Sequence, residues 1–386
     1  MSEATQELRE QDRDFHTVQD QQDLQQVGDE SEPLDEATKV REAQEAAAEN
    51  EAIVAARGVP TATQFKEQSE LAIPATVYML AGCKDSQVSA DVSDVAQLRP
   101  EGAGLSGGAC THAFLGMLED TTEARAASAE GSTQKTWLDI LDDLRERLAH
   151  YAQVPQLSCS RPLNISTEPF SITNPAHEEG VSKKRALLVG INYVGQEYQL
   201  EGCINDVRAA KAFLQSQGFA DDEIVLLVDD GHHDLPTLQN LIRSFRWLVK
   251  DAKAGDSLYF HFSGHGSYVP DDNGDEVDGQ DETILPLDFS KTGAITDDVL
   301  FKELVLPLVE GVHLMCFVDA CHSESMLDIP YTVKKGGREL DMNPLFNFSK
   351  LVEMGQSAIE SVETAVSGGM HNLVEFVKGL GSVVPI

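Results

Sequence analysis

From residue 183 onward the chain alternates short apolar runs with amphipathic stretches. "KRALLVGI" reads as an apolar strand flush against a glycine, and "CINDVRAAKAFLQSQGF" as an amphipathic helix closed by a C-terminal glycine. "EIVLLVDD" reads as a second buried strand, "LPTLQNLIRSFRWLVKDA" as a second helix and "DSLYFHFSGHG" as a third strand. After a long acidic loop come "TILPLDF", "ITDDVLFKELVLPL" and "VHLMCFVDACHS". Such alternation predicts an α/β fold whose mostly parallel sheet is covered by helices on both faces. In such sheets working residues collect at the carboxyl ends of strands, where "SGHG" and "DACHS" both fall.

The first half has a weaker pattern of the same kind. A β-rich run is predicted at 75–80, then a polar loop. "GACTHAFLGMLED" and "TQKTWLDILDDLRERLAHYA" carry apolar residues at helical spacing, including Leu138, Leu141, Leu144 and Leu148. "TTEARAASAEGST" between them reads as a loop, "QLSCS" as a short strand and "STEPFSITNPAHEEG" as a linker. Residues 1–60 carry 16 Asp and Glu against 5 Lys and Arg. Too little there can bury a face, so the segment is expected to be mostly disordered or loosely helical. Beyond residue 341 helical periodicity returns as a tail without evident chemistry.

Composition narrows the function. The 386 residues suffice for two medium domains or one large one with tails, and the net charge of -36 argues against nucleic acid and anionic membrane as partners. A cation, metal ion or basic peptide suits that field better. The longest apolar run falls well short of the roughly 18 residues of a membrane span, and the opening "MSEATQELREQDRD" lacks signal-peptide character. A soluble, cytoplasmic protein is expected. Six scattered cysteines without CxxC spacing indicate neither a disulfide framework nor a zinc site.

The apolar stretch at 312–316 ends in "FVDACHSESML", which offers an acid, a thiol, an imidazole and a hydroxyl where a strand end needs only a turn. A thiol attacks as thiolate, and a neighbouring imidazole is the usual means of forming it. Cys321 and His265 end two strands that could be sheet neighbours. Gly264 and Gly266 flank the histidine, letting the backbone bend sharply and leaving an amide to face an oxyanion. Three other readings stand beside this one. Cys321 and His265 could be an ordinary buried thiol and a strand-end histidine; His322 could be the base, though neighbours on an extended chain point opposite ways; and His261, His265 and Cys321 could hold zinc. "DDNGDEVDGQDE", with Asp271, Asn273, Asp275 and Glu282, imitates an EF-hand loop. Glu276 stands where that loop needs glycine, so it reads as an acidic surface loop.

"HFSGHGS" followed by "DACHS", with "LLVGINY" and "GCINDV" upstream, resembles the p20 region of metacaspases. "AGCKDSQVSAD", "GACTHAFL", "WLDILDDLRERL" and "PQLSCS" resemble that family's p10 region, in the family's order. Together they cover about residues 70–340. Because p10 precedes p20, the arrangement is similar to the type III metacaspases of algae, a permutation reasonable where the joined ends lie close at the surface. The resemblance implies a caspase-like three-layer sandwich with an acidic segment at 1–65, a p10-like region at 66–172, a p20-like catalytic region at 173–340 and a helical tail at 341–386. It implies His265 as base, Cys321 as nucleophile, and oxyanion donors at Gly266 and Cys321. It also implies an S1 pocket at Cys203, Asp206, Ser263 and Asp319.

The two carboxylates suit a guanidinium or ammonium, hence protein or peptide substrates with Arg or Lys at P1. Read alone, Asp206 could equally be a carboxylate favoured by a helix N-terminus. Asp281, Asp297, Asp298 and Asp328 match the family's calcium-binding positions, so Ca2+ is the expected cofactor; a merely solvated acidic face is the alternative. A monomer is expected. Glu324 stands where family members usually carry glycine, and an acid beside the nucleophile opposes thiolate formation. The sequence thus points to a calcium-dependent cysteine endopeptidase working through a Cys–His dyad. The alternative is a non-catalytic, calcium-responsive scaffold of caspase fold that binds basic peptides.

Overall fold

The computed structural model describes residues 61–82, 91–102, 104–127, 134–151, 153–270, 280–321, 323, 326–333, 337–343 and 346. The acidic segment through residue 60, the EF-hand-like loop before Gln280, His322, Glu324 and the tail from 347 lie outside them.

Helix α1 (Ala62–Ala72) opens on a capping box between Thr61 and Gln64 and leads into β1 (Thr76–Ala81). Two short strands follow, β2 (Asp91–Val92) and β3 (Gly107–Gly108), paired antiparallel. Next come α2 (Ala109–Ala127), α3 (Trp137–Arg147) and β4 (Gln156–Cys159). Leu138, Leu141, Leu144 and Leu148 are all buried, as their spacing predicts. Helix α2 runs seven residues into the stretch expected to be a loop. Alanine, glutamate and arginine there are strong helix formers, and Gly131 is the first breaker.

The second half supplies β5 (Lys184–Gly190), α4 (Cys203–Ser216), β6 (Ile224–Val228), α5 (Leu238–Val249) and β7 (Ser257–Ser263). Gly218 closes α4 with φ at 84°, while the amides of Gly218 and Phe219 donate to the carbonyls of Gln215 and Leu214. That is the paired Schellman pattern which satisfies the last carbonyls of a helix. Then follow β8 (Gly266–Pro270), β9 (Gln280–Ile284), α6 (Phe289–Thr292), β10 (Ile295–Thr296) and α7 (Asp297–Leu300), which continues as one π-helical turn (Phe301–Val305). Strands β11 (His313–Asp319), β12 (Tyr331–Val333) and β13 (Leu340–Met342) complete the described chain.

Eight strands form one sheet in the order β13-β12-β4-β1-β11-β7-β5-β6. Strands β1, β11, β7, β5 and β6 are mutually parallel, and the β4, β12 and β13 edge is antiparallel. Every residue of β7 and of β11 is buried, as central strands covered on both faces require. Alternate residues of β1, β5, β7 and β11 feed two cores. One packs under α1, α5 and the π-helical turn, and the other under α2, α3 and α4. The result is a three-layer α/β sandwich. The chain's first half places β1 in the middle of this sheet, between β4 and β11. Beside it stands a three-stranded sheet, β10-β9-β8, which the apolar pattern did not announce because its strands are short and half-polar. Among the described residues no helix is long and apolar enough to cross a membrane.

Candidate active site

Strands β7 and β11 lie side by side in parallel register, with Ser263 opposite Asp319. His265 and Cys321 each follow that pair by two residues, so both leave the sheet at the same carboxyl-terminal edge, and both are half-buried. The crossing between them is tight. A β-carbon on Gly266 would lie 2.0 Å from the Cys321 carbonyl oxygen and 3.2 Å from the Ala320 β-carbon. Gly266 is therefore required for close approach rather than for the sharp bend expected of it, and its φ is not left-handed.

His265 is held on every side. Its amide donates to the Tyr193 hydroxyl at 3.0 Å, that hydroxyl donates to the Leu285 carbonyl at 2.7 Å, and the Leu285 amide donates to the His265 carbonyl at 3.0 Å. The Tyr193 ring lies 4.7 Å from the imidazole. Burial pushes the Tyr193 phenol well above its ordinary range, so it stays a neutral hydroxyl able to accept and donate at once. Nε2 of His265 sits 2.7 Å from the Tyr198 carbonyl. A carbonyl only accepts, so Nε2 carries the proton and Nδ1 keeps the lone pair. Tyr193 adopts a left-handed φ of 52° within this arrangement.

Asp206 and Asp319 converge on one place. Asp206, on the first turn of α4, is 1% exposed; its Oδ2 accepts from the Ser263 hydroxyl at 2.6 Å and its Oδ1 from the Gly108 amide at 2.9 Å. Asp319 Oδ2 accepts from the Thr111 amide at 2.9 Å and from the Thr111 hydroxyl at 2.8 Å. A β-carbon on Gly108 would fall 2.3 Å from Asp319 Oδ2 and 2.9 Å from Asp206 Oδ2. Both carboxylates thus face a single point that glycine leaves empty. The N-terminus of α2, where amides point outward with partial positive charge, is aimed at the acid pair. Cys203, the first residue of α4, is buried one helical turn before Asp206, with its carbonyl against Gly190.

Gly108, Thr111 and His112, whose Nε2 lies 3.2 Å from Asp206 Oδ1, escaped the sequence reading, as did Tyr193 and Tyr198. Their signal was present as "GGACTH": two glycines directly before a helix, then polar residues in the first turn of an otherwise apolar segment.

Among the described residues, one group of three candidate metal ligands assembles: Asp297, Asp298 and Asp328, with ligand oxygens within 4.8 Å of one another. Oxygens bound to one calcium ion at 2.3–2.6 Å can lie about that far apart, and an all-oxygen donor set suits a hard cation. Asp297 is fully buried, with Oδ1 accepting from the Asp298 amide and Oδ2 from the Glu282 amide at 3.1 Å. Asp328 has a left-handed φ of 43°. Asp281 is buried on β9 beside Glu282 and is not in that group of three. The zinc alternative fails here: His261 is buried within β7 against the Phe317 ring at 5.1 Å, while His265 turns beyond the strand end to Tyr198.

Residues 184–330 match the family model described as metacaspase, peptidase C14 domain. Metacaspase III c of Phaeodactylum tricornutum is 40% identical over 297 residues, covering 75% of this chain and 85% of that one. The chain belongs to the metacaspase family. Metacaspase-1A of Aspergillus fumigatus is 45% identical over 228 residues, covering 56% of this chain and 54% of that one. Metacaspase-1 of Coccidioides immitis is 44% identical over 200 residues, covering 51% and 42%. The chain spans about half the length of these fungal metacaspases. As a metacaspase it is a cysteine-type endopeptidase of caspase-like α/β fold, acting on protein substrates.

Proposed function

We propose that this metacaspase cleaves peptide bonds after Arg or Lys, through a dyad of Cys321 and His265, in a calcium-dependent manner. The observation that carries the reading is the shared sheet edge. Ser263 and Asp319 pair in register, the imidazole and thiol follow them by two residues each, and Asp206 and Asp319 converge alongside.

In this mechanism Nδ1 of His265 takes the proton of Cys321, because Nε2–H is committed to Tyr198. The thiolate attacks the scissile carbonyl, backbone amides at Gly266 and Cys321 hold the oxyanion, and the imidazolium returns its proton to the leaving amine. Two buried carboxylates in one pocket attract a guanidinium or ammonium and repel a P1 aspartate. Asp297, Asp298 and Asp328 would hold calcium, with Asp281 one residue before the Glu282 amide that donates to Asp297. The ion would supply charge compensation that orders the segments carrying these aspartates, one of which begins seven residues after Cys321.

The test is turnover of otherwise identical peptides ending in Arg, Lys or Asp, with and without calcium, for wild type and for Asp297→Ala/Asp298→Ala. Cleavage after Arg and Lys alone, stimulated by calcium in wild type and not in the double variant, is expected. Cleavage after Asp would overturn the pocket assignment. Equal calcium response in both proteins would reduce these carboxylates to a solvated face.

A further inference from the structure

Beneath the acid pair lie two buried histidines that the proposed mechanism does not use. His112, on the first turn of α2, is fully buried; Nε2 lies 3.2 Å from Asp206 Oδ1, an ion-pair contact, and neither ring nitrogen has a hydrogen-bond partner among the described residues. His261, on β7, is also buried, and its ring nitrogens have no hydrogen-bond partner among the described residues. Gly102 and Gly107 also lie against the His112 ring and bring no charge; a β-carbon on Gly107 would fall 2.3 Å from Nε2 and 2.8 Å from Asp206 Oδ1.

Asp206 is a buried carboxylate, and a buried charge needs compensation. The Gly108 amide and the Ser263 hydroxyl donate to it but carry no charge. Among the described residues no Lys or Arg forms an ion pair with it; the one ion-pair contact is His112. Of the titratable groups around that imidazole, Asp206 approaches from α4 and Asp319 from β11 through Thr111, both acids. Cys110 precedes it on α2. His261 approaches from β7, and burial holds it neutral, pushed down to about 4. A proton on His112 is thus the charge within the protein that can balance Asp206, and the P1 cation of a bound substrate would supply the same charge from outside.

We propose that His112 is a positioning residue of the S1 site and its internal counter-cation, so that the proton of His112 and the P1 cation compete for one carboxylate, Asp206. This rests on the reading of Asp206 as part of the P1 pocket. With His112 neutral, Asp206 keeps its uncompensated charge, its Oδ1 held by the Gly108 amide, and Oδ2, shared with Ser263, meets the substrate. With His112 charged, the pocket is already filled electrostatically. Linkage then requires that binding a P1 arginine drive off the His112 proton.

The experiment uses the full chain carrying Cys321→Ala, which binds without turnover, with a peptide ending in arginine amide and its neutral citrulline counterpart. Calorimetry in buffers of different ionisation enthalpy, across about pH 5 to 8 where imidazoles change charge, counts the protons released. Release approaching one proton per arginine peptide at the acid end is expected, with affinity rising by up to about tenfold per pH unit. The citrulline peptide should release none, and His112→Gln, which stays polar but cannot take up charge, should abolish the release and leave the arginine affinity flat across the same pH range. Equal proton release in His112→Gln, with the arginine preference intact, would overturn the role of His112 alone. No preference for arginine over citrulline, unaffected by Asp206→Asn, would overturn the pocket reading and the His112 role with it. Should His112→Gln fail to fold, the His112 imidazole resonance in the Cys321→Ala protein reports the same competition. It must move toward the neutral form on adding the arginine peptide, and a stationary signal refutes the proposal.

Discussion

Cys321 and His265 come to one sheet edge because two strands end in register, and each lies against a residue with no reactive group. Gly266 lets the histidine strand pass against the Cys321 carbonyl, and the Tyr198 carbonyl fixes which imidazole nitrogen is basic. Cys321→Ala should abolish peptide hydrolysis and leave thermal stability nearly unchanged. His265→Ala should cost orders of magnitude, and the double variant little more, since residues acting as one unit do not lose activity additively. Near-normal turnover of an Arg peptide by either single variant would refute the dyad. Gly108 offers a sharper probe of the pocket. A methyl group there would sit 2.3 Å from Asp319 Oδ2, a contact the buried acid cannot relieve by moving into solvent. Gly108→Ala should therefore raise KM for Arg peptides at least about tenfold, roughly the loss of one charge-assisted hydrogen bond. An unchanged KM would mean that the substrate cation binds elsewhere.

At the scale of elements, the central strands were readable because burial on both faces makes them continuous apolar runs: β5, β7 and β11 follow "KRALLVG", "SLYFHFS" and "HLMCFVD". The edge was not. Strands β8, β9, β12 and β13 are short and partly polar, and pairing rather than propensity makes them strands. His265, Cys321 and Asp319 were legible for the same reason, since they end the readable strands or follow them by two residues, whereas Asp206, on α4, came from the resemblance alone. Thr111 and His112 open a helix in the other half of the chain, where only the folded sheet brings them to Asp206 and Asp319. The central strands also carry a cost in acid. Burial pushes His261 and His313 each down to about 4 from 6.5. The unfolded chain therefore binds more protons between those values, and stability falls as pH drops through that window, fully present only above about 6.5. Each shift corresponds to roughly 3 kcal/mol. The unfolding midpoint should drop steadily from pH 6.5 to 4, and His261→Phe, which keeps a ring against Phe317, should flatten that slope. An identical slope in the variant would show that His261 is not the group responsible.

Across the whole molecule, the order of the chain and the order of the sheet are independent. Strand β1 comes from the first half, yet it pairs with β11 over six residues on one side and with β4 on the other. Gly108, Thr111 and His112 cross from the same half to the two acids. What joins the halves covalently is an exposed stretch around Glu178–Val181, with Gly180 at a left-handed φ of 76°, and it contributes little to either core. Covalent continuity there is expected to be dispensable once the sheet has formed, because the hydrogen-bonded ladder and both cores hold the pieces together. A specific protease site inserted between Glu179 and Gly180, cut after folding, should leave two fragments that co-elute on gel filtration and hydrolyse an Arg peptide within about twofold of the uncut protein. Residues 180–386 produced alone should show no turnover, because β11 then presents an unpaired edge, Asp206 loses the Gly108 amide and Asp319 loses both Thr111 donors. Separation of the fragments on cutting, or full activity of the second fragment alone, would show that the first half is not an integral part of the sheet and pocket.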